Sequence, residues 1–176
     1  MNPDRWIAGS AVAIALAALL LAVWEGCLSR HYQRLQVEPK IAVSFFYNQD
    51  GAGFIFSNAG FGPADVLWTQ VLVDEEPQAT WLEVGAALQF QAPPQFAFSI
   101  PANVWTAGSS GRIFWAPPGA LERELREKAD RIRIDSCYCS ILRDCWVSSS
   151  STTKGRYSVS SCPPEPRAFL RAPVRQ

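Results

Sequence analysis

From Trp6 to Trp24 the chain reads WIAGSAVAIALAALLLAVW, with no charge and no proline, and beyond it the pattern turns to short alternating segments. At 1.5 Å of rise per residue, roughly 20 apolar residues span the ~30 Å hydrocarbon core of a bilayer. A helix satisfies its own backbone hydrogen bonds there, which lipid cannot do. A tryptophan stands at each end, where an amphipathic ring prefers the headgroup level. The stretch predicts one transmembrane helix whose residues 6–24 meet the lipid bilayer. A cleaved secretory signal needs a small-x-small site, which bulky Trp24 spoils. A lipoprotein signal needs a small or branched aliphatic residue where Trp24 precedes Cys27. Residues 1–25 therefore read as an uncleaved signal anchor. Gly9, Ala13 and Ala17 recur at four-residue spacing, a small-residue face suited to helix packing.

Residues 26–39 read as a polar, partly basic juxtamembrane stalk, helical until Pro39 breaks it. Period-two alternation then begins, with Ile41, Val43, Phe45 and Tyr47 on one face. Asn48 to Gly51 is a turn cluster, and Phe54-Ile55-Phe56 closes a hairpin. Ser57 to Pro63 is a tight connection in which glycine and asparagine accept positive φ. Ala64 to Val73 is apolar on both faces near its middle, as a central strand should be, and Asp74 to Pro77 ends it. Trp81 to Phe90 fits either a short helix or a strand.

Phe96, Phe98 and Ile100 alternate again, and Ile113-Phe114-Trp115 follows a turn at Gly108 to Gly111. Ala120 to Asp130 predicts a short helix, with Leu121 and Leu125 inward and Glu122 paired to Arg126. Arg131 to Leu142 alternates, Arg143-Asp144 turns, and Cys145-Trp146-Val147 returns. Ser148 to Thr153 is a flexible hydroxyl-rich run, and Arg156 to Ser160 a last strand. About seven short strands at this spacing predict a mainly β fold, an immunoglobulin-like β-sandwich over residues 40–162 with one short helix near 120–130. Trp68 or Trp146 would fill its core. Residues 163–176, PPEPRAFLRAPVRQ, form a proline-rich tail.

The chain has 176 residues and a net charge of +0. Beyond the anchor, about 145 residues suffice for one domain with a proper core. Zero net charge gives no basic footprint for nucleic acid. Charges do not orient the helix: Arg5 precedes it, while Arg30, Arg34 and Lys40 follow, opposed by Glu25 and Glu38. That balance leans toward a cytoplasmic head.

The segments RHYQRLQVEPKI, FIFSNAGFGPADV and IRIDSCYCSILRDCWV, following an N-terminal membrane helix, carry a resemblance. The chain resembles small bacterial inner-membrane-anchored proteins of uncharacterised function with a single β-sandwich-like periplasmic domain. The resemblance implies architecture and a periplasmic head, and it carries over no functional residue.

Cys137, Cys139, Cys145 and Cys162 lie in the head and Cys27 at the membrane edge. Cys137 and Cys139 are two apart on a strand and share a face. A bond from Cys139 to Cys145 would cross the hairpin and leave Cys137 for Cys162, although four cysteines permit three pairings. An even set favours disulfides and an oxidising compartment, against the charge balance. The alternative is a metal-handling or thiol-redox module, but C-x-C-x5-C-x16-C lacks paired CxxC knuckles, and no metal site is assigned.

The one histidine, His31, lies in the stalk, so the head has no Ser-His-Asp or Cys-His set. Gly108-Ser109-Ser110-Gly111 is not a nucleophile elbow, and the glycine pairs at 51/53 and 60/62 suit hairpins better than a phosphate loop. Asp74, Glu75 and Glu76 read as a solvated turn, and Asp135 with Arg131 and Arg133 as an exposed charge row. The expected function is a non-enzymatic, single-pass envelope protein of the bacterial inner membrane. It needs no cofactor, and its periplasmic sandwich binds a protein partner or supports a complex.

Overall fold

A computed structural model describes residues 3–91, 96–97, 103–151, 155–164 and 169, with the side chains of 3–13, 31, 96 and 97 outside that description. It divides into two units, Met1–Gln36 and Val37–Gln176. The first unit is one helix, α1 (Pro3–Gln36), long and apolar enough by length and composition to cross a membrane. Its side chains from Ile14 to Trp24 are exposed, including Leu16, Leu19, Leu20 and Leu21. Ala17 lies on this exposed stretch, while the surroundings of Gly9 and Ala13 fall outside the described residues. The helix ends before Pro39, a residue that cannot continue it.

The second unit is mainly β, with two antiparallel sheets. Its first strands are β1 (Ile41–Asn48), β2 (Gly51–Asn58), β3 (Ala64–Val73) and β4 (Glu76–Gln78). Next come helix α2 (Trp81–Ala87), β5 (Phe96–Ala97), β6 (Val104–Trp105) and β7 (Ser110–Ala116). Helix α3 (Ala120–Lys128) runs into a 3-10 turn (Ala129–Arg131), and β8 (Ile132–Cys139), β9 (Cys145–Ser149) and β10 (Arg156–Val159) follow. One sheet has the order β1-β2-β7-β5 and the other β10-β9-β8-β3-β4, with β6 also on β3. Strand β3 is central, as its apolar run implies.

Thr80 decides the ambiguity at Trp81. Its hydroxyl caps the helix by accepting from Glu83 N–H at 3.2 Å, and Glu83 Oε2 accepts from Ala79 N–H at 2.7 Å. That reciprocal cap satisfies donors a strand would have paired elsewhere. Lys128 Nζ, at the end of α3, donates to Leu88 O at 2.8 Å and ties the two helices together.

Both sheets contribute to the core, through Phe54, Phe56, Ile113 and Phe114 on one side and Val66, Val71, Ile134 and Tyr138 on the other. The tryptophan of this core is Trp81, whose ring lies 4.7 Å from Phe114. Trp68 is buried elsewhere, in a second cluster with Cys137 and Val147, and Trp146 only flanks the main core. A register shift between Val66 and Trp68 is what moves Trp68 off the core phase.

Three further expectations change. Glu76 to Gln78 pairs back onto Val71 to Val73, through a turn in which Asp74 and Glu75 both take positive φ (50° and 70°). Ser148 to Ser150 are not slack. Ser148 pairs with Ser136, and Ser150 donates to Ile134 O and accepts from Ile134 N–H at 2.8 Å. Of the tail, Pro163 O accepts from Trp68 Nε1 at 2.9 Å and Phe169 packs on Trp81 at 5.2 Å. Phe98, Ile100, Thr152 and Thr153 lie outside the described residues.

Candidate interaction site

The cysteine-rich end closes covalently. Cys137, on the face of β8 turned away from the core, is bonded to Cys162, and Cys139 is bonded across the hairpin to Cys145. The thiolate is the form that binds metal or attacks, so sulfurs held in disulfides are neither ligands nor nucleophiles. No group able to hold a metal occurs among the described residues. Cys27 is free and exposed on α1.

The opposite end of the head carries a cleft of about 450 Å³. Val43, Phe45 and Phe54 form one wall, and Ile132, Ser150 and Ser151 line the other. Its rim is charged. Arg131 Nε lies 3.0 Å and 3.2 Å from the two carboxylate oxygens of Asp74. Arg133 pairs with Glu75 and, at 3.1 Å, with Asp135. The two turn residues in left-handed backbone are thus the ones that meet the two arginines. Of the expected exposed charge row, Arg131 is indeed exposed at 42%, whereas the side chains of Arg133 and Asp135 are sheltered, at 12% and 15%. The guanidinium of Arg131 draws the carboxyl of Asp74 below the usual carboxylate range, chiefly through the hydrogen bond between them. Asp130 also lines the cleft, so three carboxylates face two guanidiniums.

A second constellation fixes how the chain enters the head. Asn58 is 1% exposed and makes four hydrogen bonds. Its Oδ1 accepts from Lys40 N–H and Gly60 N–H, and its Nδ2 donates to Gly62 O and Trp105 O. Arg156 donates from Nε to the Tyr138 hydroxyl at 2.9 Å, and from its two terminal nitrogens to Glu38 and to Pro39 O. Its guanidinium also stacks 4.5 Å over the Trp146 ring. Burial pushes the Tyr138 phenol above its ordinary value, partly offset by the nearby Arg156.

Arg156, Asn58 and Tyr138 escape notice in the sequence, where each is a single polar residue in a strand or turn. The FSNAGFGP segment marks a tight connection, but its partners at 38–40 and 105 emerge only in three dimensions. His31 lies in the stalk helix, far along the chain from the cleft, and its side chain is outside the described residues. No protein-family model, curated protein or solved structure matches this chain.

Proposed function

We propose that this is a non-enzymatic, single-pass envelope protein, held by residues 6–24 in a bacterial inner membrane, with its head in the periplasm. The head, an immunoglobulin-like sandwich in this reading, binds a partner protein or supports a membrane complex. The observation that carries the proposal is the joining of one long apolar helix to a separate strand-built unit stapled by Cys137–Cys162 and Cys139–Cys145. Such bonds persist in oxidising compartments, which supports a periplasmic head against the lean of the basic residues. Fold alone assigns no chemistry, and the two guanidiniums of the cleft, Arg131 and Arg133, are each engaged by a carboxylate.

Two measurements test this. Protease added outside spheroplasts should digest the head, and a protected head would overturn the topology. Affinity purification from gently solubilised membranes should recover a stoichiometric protein partner, and repeated recovery of the chain alone would overturn the interaction role.

A further inference from the structure

We propose that the free edge of β1 beside the cleft receives an extended segment of a partner polypeptide as an added strand. This rests on the interaction reading above and assigns it a surface and a chemistry.

The phase of β1 is set at its first pairing. Ala59 N–H donates to Lys40 O at 2.8 Å, so the opposed residues Ile41 and Asn58 form a non-hydrogen-bonded pair. The direction alternates along an antiparallel ladder, so Val43, Phe45 and Tyr47 also turn N–H and C=O away from β2. Among the described residues β1 pairs with β2 only, so these groups have no ladder partner.

Natural sheets shorten, charge or kink such edges to prevent pairing. Two other edge strands obey this rule, with 3 residues in β4 and 4, including Arg156, in β10. Strand β1 has 8 residues, IAVSFFYN, with no charge and no proline, and its register with β2 is unbroken. Its side chains at 43 and 45 line the cleft, so an incoming strand would rest alternate side chains there.

The occupant is a single strand rather than a second head. Strand β1 contacts β8 and β9, and β10 lies beyond β9, so the wider sheet projects past the β1 edge as a shelf. One strand fits between edge and shelf, whereas a second copy would bring its own shelf into the same space. Three carboxylates against two guanidiniums leave the cleft with one surplus negative charge, which favours a segment carrying lysine or arginine. Main-chain pairing would supply affinity and the cleft selectivity.

The test uses the full chain in phosphatidylcholine–phosphatidylglycerol nanodiscs with the probe acetyl-Lys-Val-Thr-Val-Thr-Val-Lys-amide. Amide hydrogen exchange read by NMR should slow about tenfold at Val43, Phe45 and Tyr47, and stay unchanged at Ser44 and Phe46, whose amides already face β2. Phe45→Pro removes an outward N–H together with the ring that packs 5.3 Å from Phe54 and lines the cleft; it spares the β2 ladder, as an edge strand tolerates, and should weaken the probe about tenfold with circular dichroism unchanged. Should that variant unfold, the same peptide N-methylated on alternate amides decides the matter on the unaltered protein, where it should not bind. Absence of the alternating protection at about 1 mM probe, or equal binding of the N-methylated peptide, would overturn the inference. So would protection that grows with protein concentration and no probe, which would mean pairing between copies. A stoichiometric partner that cross-links to another face would end this inference and leave the interaction role standing.

Discussion

The guanidinium of Arg156 and the carboxylate of Glu38, 118 residues apart in the sequence, lie 2.6 Å apart. The last strand of the head thus grips the first residues of the head's own chain, just after α1. The same guanidinium reaches the Tyr138 hydroxyl and Pro39 O, and Pro39 is among the fully buried residues. A planar fork with donors in fixed directions is what allows one side chain to serve three acceptors.

Arg156→Met should therefore lose more than packing. Its partners are only partly exposed, and deleting charge-assisted bonds of this kind costs about 2 kcal/mol. Denaturant unfolding of the detergent-solubilised chain measures this. Arg156→Lys should recover only part of the loss, since an ammonium cannot reproduce the fork.

Asn58→Leu keeps the volume of the side chain and removes its polarity. Four main-chain groups, one bond buried and three partly so, would lose their partner, two donors and two acceptors. The expected loss is about 3 kcal/mol. Asn58→Asp should fare little better, because its second oxygen would face Gly62 O and Trp105 O, where the amide now donates.

Gly62 and Gly108 separate close approach from backbone strain. A Cβ at Gly62 would collide with the main chain of Val37, and Gly62→Ala should cost about 3 kcal/mol by overpacking. Gly108 has open space but a φ of +73°, so Gly108→Ala should cost only about 1 kcal/mol. Thermal unfolding of the two variants side by side gives the comparison.

The disulfides differ in the loops they close. Cys137 and Cys162 are 25 residues apart and Cys139 and Cys145 are 6 apart. Loop entropy assigns about 3.5 kcal/mol to the first and about 2 to the second. Paired Cys→Ala substitutions should follow that order in denaturant midpoint. Removing Cys162 should also free Trp68, whose indole is held by Pro163 O, and shift its fluorescence to the red.

Two titrations set the pH limits. The folded pKa of Tyr138 is raised by burial, so its contribution is full below the usual tyrosine value and is lost as pH rises through the folded one. Unfolding midpoints should fall in the alkaline range, and Tyr138→Phe should remove that slope. The carboxyl of Asp74 is drawn down mainly by the Arg131 hydrogen bond. Its contribution is present above the ordinary carboxylate range and fades as pH falls through the folded value. Asp74→Asn should flatten that acid limb.

Much of this molecule follows from local chemistry alone. The apolar run at 6–24, the alternation at Ile41 to Tyr47, the central character of Ala64 to Val73 and the helix at Ala120 to Lys128 are all written in residue spacing. Spacing fixes which face of an element is apolar, because helix and strand periods are set by the backbone. It does not fix which distant element covers that face. Trp68 left the core because one register shift turned it over, and Trp81 entered because Thr80 and Glu83 capped a helix. The charges at 74–75 and 131–135 became a line of ion pairs, sheltered at Arg133 and Asp135, once β3 and β8 paired in register. The edge of β1 likewise exists only because its sheet, ordered β1-β2-β7-β5, ends there rather than closing on itself. Periodicity is a property of neighbours along the chain, whereas register, pairing and edges belong to residues that meet only when the chain has closed on itself.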